Sequence, residues 1–79
     1  MKITVKVHGT LTKYLPDYDH EKGLELEFPD NADAATLIDF LGIPRSNVGM
    51  MSVNGHQVNS DDTIPDKSVV KVFQPIFGG

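Results

Sequence analysis

Residues 33–44, DAATLIDFLGIP, carry the signals of a helix in the order a helix needs them. Asp33 is an N-cap residue type, Ala34, Leu37, Ile38 and Leu41 fall at i, i+3, i+4 and i+7, Gly42 can close the last turn, and Pro44 prevents continuation. The spacing predicts about two and a half turns with one apolar face. A helix of that length does not persist in water by itself, so the rest of the chain must supply a surface for it to pack on.

That surface is written on both sides of the helix as period-two patterns. In Lys2 to Val7, Ile3, Val5 and Val7 alternate with Lys2, Thr4 and Lys6, and in 24–28 Leu24, Leu26 and Phe28 alternate with Glu25 and Glu27 before Pro29. Two strands so close in sequence predict an antiparallel pair. After the helix, 49–53 reads as a third strand, Asn54-Gly55 as a tight hairpin turn, and Gln57-Val58 as a brief return strand. A turn-rich stretch from Asp61 to Lys67 leads into a last strand, Val69 to Phe73, which Gln74-Pro75 ends because proline cannot donate to a ladder. The connection through Leu11, Tyr14, Leu15 and Pro16 has no conformation that the sequence fixes. The order is that of an α+β domain, a mixed sheet of four to five strands with one short helix laid across it.

The chain has 79 residues, expected to form a single domain over 1–79 with a tail at 74–79. At that size roughly 60% of the unfolded surface can be buried, enough for one modest core and not for an enzyme-sized enclosed cavity. The absence of cysteine excludes disulfides, thiolate zinc sites and cysteine nucleophiles. A formal charge of -4 with dispersed acidic residues disfavours a nucleic-acid partner, which requires clustered Lys and Arg. The N-terminal MKITVKVHG alternates from the start, so it has no signal-peptide core, and no segment approaches the roughly 20 apolar residues of a membrane span. The expectation is a cytoplasmic protein with no membrane partner.

A catalytic or metal site within the chain has little support. His8, His20 and His56 stand far apart in sequence with no metalloprotease spacing, and are read as surface or hairpin residues. Asp61-Asp62 and the Asp17/Asp19 pair lack an EF-hand pattern and read as solvated turns. Ser46, Ser52, Ser60 and Ser68 have no nucleophile-elbow context, and the glycines at 9, 23, 42, 49 and 55 are too dispersed to cradle a phosphate, leaving them as turn and cap residues. No metal and no bound cofactor are expected.

The end of the sequence is more informative. Gly78 and Gly79 follow the last strand, and a diglycine there suits a carboxylate that must be threaded into another protein's active site, where a Cβ would clash and positive backbone angles are needed. Its bland alternative is a frayed end. If Val70 and Val72 face the helix, Val69, Lys71 and Phe73 lie on the other face of the sheet, where an aromatic next to the tail suits a partner contact. Ile76 and Phe77 are apolar residues in a segment expected to be exposed, which fits docking in a partner groove.

Taken together, MKITVKVHG, DAATLIDFLGIP, SVNGHQV and DKSVVKVFQPIFGG resemble the ubiquitin-like β-grasp sulfur carriers of the MoaD/ThiS family over essentially the whole chain. The ending Phe73-Gln74-Pro75-Ile76-Phe77-Gly78-Gly79 is similar to the F-x-P-[VI]-x-G-G of molybdopterin synthase small subunits, which carry a proline where thiazole carriers usually lack one. Phe77 departs from the small or hydroxylated residue usual there, which leaves open a carrier for thiamine thiazole or for another thiolation or tungsten-cofactor pathway. The resemblance implies a β-grasp fold and a chain that is not an enzyme alone. It implies that an adenylating enzyme of the ubiquitin-activating type spends ATP on the Gly79 carboxylate, and that a sulfurtransferase converts the adenylate to a thiocarboxylate. A large synthase subunit then passes the sulfur to a pterin precursor of the molybdenum cofactor. Phe73, Pro75, Ile76 and Phe77 would make the partner contacts, because relatives dock through the sheet face beside the tail. A ubiquitin-like protein modifier or a non-covalent interaction module are the alternatives of another class.

Overall fold

In a computed structural model that describes residues 1–16 and 18–75, the alternating segments form β1 (Lys2–Val7), β2 (Leu24–Glu27), β3 (Met50–Val53), β4 (His56–Val58) and β5 (Ser68–Phe73). The α-helix, α1, spans Ala34–Leu41. The strands make one sheet in the order β2-β1-β5-β3-β4. β1 and β5 lie side by side in parallel at its centre, and every other pairing is antiparallel. This is the mixed sheet with one helix that the sequence predicts, of the ubiquitin-like β-grasp type.

Register explains the core. Ile3, Val5 and Val7 of β1 stand opposite Ser68, Val70 and Val72 of β5, and Val72 and Val70 stand opposite Met51 and Val53 of β3. These side chains share one face and are buried together with Ala34, Leu37, Ile38 and Leu41, the apolar face of α1. Burying each large aliphatic side chain contributes roughly 1.5–3 kcal/mol relative to exposure. Ser68, the polar member of that row, donates its hydroxyl to the Pro65 carbonyl, so it brings no unmet hydrogen bond into the core.

Both ends of α1 are capped as the sequence predicts. The Asp33 carboxylate accepts from the Thr36 amide at 2.8 Å and the Thr36 hydroxyl at 2.6 Å. The Ala34 and Ala35 amides, which have no partner inside the helix, donate to the carbonyls of Asp62 and Ser60. At the other end Gly42 takes φ 75°, its amide donates to the Asp39 carbonyl, and the Ile43 amide reaches back to Ile38, a Schellman closure with Ile43 buried beneath it. Asp39 forms a two-pronged ion pair with Arg45 in the turn that follows.

Four boundaries differ from the sequence reading by one residue; β2 ends at Glu27, before Phe28. Gly49 lies outside β3, His56 joins β4 because it pairs with Val53 across the turn, and Ser68 begins β5 because it pairs with Ile3. The start of β5 is decided by a strand partner distant in sequence, and that of β4 by the partner across the hairpin. The hairpin turn is as expected, with Asn54 at φ 52° and Gly55 at φ 86°, and the Asn54 side chain accepts from the Val69 amide, tying the turn to β5. The connection that the sequence left open is a 3₁₀ turn over Gly9–Tyr14 that buries Leu11.

Candidate functional site

β5 ends at Phe73, and its end is held by hydrogen bonds and close backbone contacts. The His8 amide donates to the Val72 carbonyl at 3.0 Å and the Gly49 amide to the Phe73 carbonyl at 2.8 Å, so the strand is held from both sides up to its last residue. One residue later the Gln74 side-chain oxygen accepts from the Thr10 amide at 2.7 Å and the Thr10 hydroxyl at 2.9 Å. Pro75 follows, with its φ fixed by the ring.

Two glycines make room for this path. A Cβ on Gly49 would come within 2.6 Å of the Pro75 Cα and 2.7 Å of the Gln74 carbonyl oxygen, both backbone atoms. A Cβ on Gly9, which sits at φ 70°, would meet the Gln74 side-chain oxygen at 2.3 Å. The reading of these glycines as turn and cap residues therefore needs correction at Gly49. Its φ lies outside the left-handed region, and what it supplies is clearance for residues 74 and 75.

On the outer face of the sheet the same end carries an aromatic and apolar platform. Phe73 is half-buried, with its ring stacked on His8 at 4.7 Å between centroids and 9° between planes. Met50 stands opposite Phe73 in register and is 40% exposed, and Val69 lies on the same face further back. Lys6 and Lys71 face each other across β1 and β5 in the next row, placing positive charge beside the platform of a chain whose net charge is -4. His8, Gly9, Gly49, Met50, Gln74 and Pro75 line an open concavity around the Phe73 ring.

Phe73 and Pro75 are thus brought to one site, while Ile76, Phe77, Gly78 and Gly79 lie outside the described residues. Sequence reasoning missed His8, Gly9, Thr10, Gly49 and Gln74. The alternation of β1 extends one step past Val7, and that step puts His8 on the outer face; no local signal marks the other four.

Other candidates take structural roles. His20 meets the edge of the Tyr18 ring and His56 begins β4, so the histidines do not gather. The Asp19 carboxylate accepts from the Glu21 and Lys22 amides, and that of Asp62 from the Asn59 amide; Asp17 lies outside the described residues. Among the described residues no three His, Asp or Glu side chains are grouped to hold a metal ion, and no helix is long and apolar enough to cross a membrane. The arrangement offers a positioned exit for the chain beside an exposed apolar platform.

The family model described as Mut7-C ubiquitin matches residues 1–78. The chain belongs to the Mut7-C ubiquitin family. This ubiquitin-like membership bears out the MoaD-like resemblance read from the sequence, and solved structures agree on the fold. Subunit 1 of a putative molybdopterin converting factor from Pyrococcus furiosus superposes with a TM-score of 0.73 at 23% identity, covering 96% of this chain and 99% of that one. Small archaeal modifier protein 1 of Haloferax volcanii gives 0.71 at 11% identity, covering 95% and 98%. A complex of subunits 1 and 2 of the molybdopterin-converting factor from Helicobacter pylori 26695 contains a chain similar at 0.62 and 19% identity, with full coverage of both. No curated protein matches in sequence. At these identities the likeness is one of fold.

Proposed function

We propose that this Mut7-C ubiquitin domain is a sulfur carrier, acting through a thiocarboxylate formed on Gly79 and serving as the non-catalytic small partner of a molybdopterin-synthase-type sulfurtransferase. The observation that carries this reading is the exit of the central strand β5, held to its last residue and directed by Gln74 and Pro75 toward a Gly78-Gly79 sequence. The similarity to a converting-factor subunit 1, and the assembly of one such subunit with a subunit 2, support it.

In this reading a Gly79 carboxylate oxygen attacks the α-phosphorus of ATP in a cytoplasmic adenylating enzyme, and pyrophosphate leaves. The persulfide sulfur of a sulfurtransferase then attacks the acyl carbon and AMP departs. A thiol reductant cleaves the resulting S–S bond, which releases the thiocarboxylate. A large synthase subunit would bind Phe73, Pro75, Ile76 and Phe77 and direct the sulfur to a pterin precursor. The chain holds no cofactor in this scheme; ATP is consumed by the partner.

Incubating the full chain with ATP, the adenylating enzyme encoded in the same genome and a persulfide donor should raise its intact mass by the difference between sulfur and oxygen. An unchanged mass, beside a control carrier that is converted, overturns the proposal. The likeness to small archaeal modifier protein 1 favours one second reading, in which the same adenylate is passed to a lysine as an isopeptide bond. Higher-mass conjugates in a lysate that vanish on deletion of Gly79 would support it over sulfur transfer.

A further inference from the structure

We infer that Gln74 is a latch that fixes the direction in which the chain leaves the sheet, and that Gly9, Thr10 and Gly49 form its frame. The inference deepens the sulfur-carrier reading and rests on it where activity is concerned.

The ladder ends at Phe73, and the first residue past a ladder ordinarily frays. Here it is held by a side chain. The Gln74 Oε1 oxygen takes two hydrogen bonds from one residue, the Thr10 amide and hydroxyl, across a sequence separation of 64. Thr10 itself lies in the 3₁₀ turn whose Leu11 is buried in the core, so the latch is fastened to a fixed point. The acceptor fits only because Gly9 has no Cβ. On the opposite side Gly49 lets the backbone of 74 and 75 pass in contact, and its amide secures the Phe73 carbonyl. Because Gln74 precedes Pro75, its own backbone is confined to extended conformations. With the side chain hooked and the backbone confined, residue 74 presents Pro75 along one line.

The chemistry at Gly79 requires its tail to enter an active site, and each residue that must be ordered at that moment weakens binding. Fixing one residue's backbone in advance is worth about tenfold in affinity. Gln74 and Thr10 are therefore positioning residues, acting through the path of the tail and not on the reacting carboxylate.

The test compares Gln74→Met, which keeps the length and removes the acceptor, with Gln74→Glu, which keeps an acceptor oxygen in place. In the unmodified protein the residue-74 amide should show an NMR order parameter of about 0.85, as in rigid backbone, and in Gln74→Met it should fall toward about 0.6, the limit of flexible backbone. In steady-state assays with the adenylating enzyme, Gln74→Met should raise KM about tenfold with kcat little changed, the pattern expected when ordering at binding is lost. Gln74→Glu should restore order and KM together. An unchanged order parameter in Gln74→Met overturns the latch, and lost order with an unchanged KM overturns its positioning role. If the unmodified chain is never adenylated, the sulfur-carrier reading fails, and the order parameters still decide the latch.

Discussion

Val69 and Val70 are the same residue in the same strand, and they belong to different parts of the protein's work. Val70 is fully buried, packed with Val5, Val53 and the helix face, whereas Val69 is 36% exposed on the face that also carries Lys71 and the Phe73 ring. A strand turns successive side chains to opposite faces, so β5 contributes stability with one set of residues and leaves the other on the outer face, where we propose that a partner docks. The consequence is a separation that mutation can probe. Changes on the core face should cost folding and spare recognition, and changes on the outer face should do the reverse.

The sharpest way to break that contrast is Phe73→Ala. If the outer face recognises the large subunit or the adenylating enzyme, this change should weaken the complex by about 2 kcal/mol or more, the size of an interface anchor, read by calorimetry or surface plasmon resonance. Its cost in stability should be smaller, about 0.5–1.5 kcal/mol from the lost stacking with His8. Equal affinity for both proteins would move the docking surface elsewhere.

Next come the paired substitutions Val70→Ala and Val69→Ala, compared by urea unfolding. Val70→Ala should lose about 2 kcal/mol through lost burial and the cavity left behind. Val69→Ala should lose under about 1 kcal/mol, mostly strand preference. Equal losses would mean that the two faces are not divided as described.

The smallest expected effect concerns three carboxylates, Asp33 and Asp39 at the helix and Asp19 at the turn before β2. The hydrogen bond from the Thr36 hydroxyl, with that from its amide, holds the Asp33 carboxyl below its ordinary 3.8. The side-chain hydrogen bonds from Arg45 do the same for Asp39, and the Lys22 and Glu21 amides for Asp19. Each folded value is depressed, so the stability these groups add is present above about pH 4 and is lost as pH falls through the lowered folded values. The melting temperature should therefore drop on acidification below about pH 4. Asp33→Asn, which still caps a helix, should make that drop shallower, and an unaltered slope would remove Asp33 from the account.

What the sequence makes legible here is whatever is local. Period two in Lys2 to Val7 places Ile3, Val5 and Val7 in the core, the Asp33 to Gly42 spacing gives both ends of α1, and Asn54-Gly55 gives the turn. The outward Phe73 also comes from short-range pattern, while Ile76 and Phe77 lie outside the described residues. The frame of the exit does not, because Thr10 meets Gln74 across 64 residues of sequence, with Gly9 beside it, and Gly49 meets Pro75 with no unusual φ to announce it. A glycine required for clearance looks, in one sequence, like any glycine in a turn. Phe73 could be placed on the correct face, but its His8 partner depends on the parallel pairing of the first and last strands.

That pairing has a mechanical consequence. β5 is bonded along both edges, to β1 on one side and β3 on the other, and those bonds lie across the strand direction. A pull on residues beyond Pro75 runs along the strand and loads both ladders in shear, so many bonds share the force and none is peeled first. Loaded in that way, β5 is harder to extract than a strand pulled across its ladder, where the bonds open one at a time.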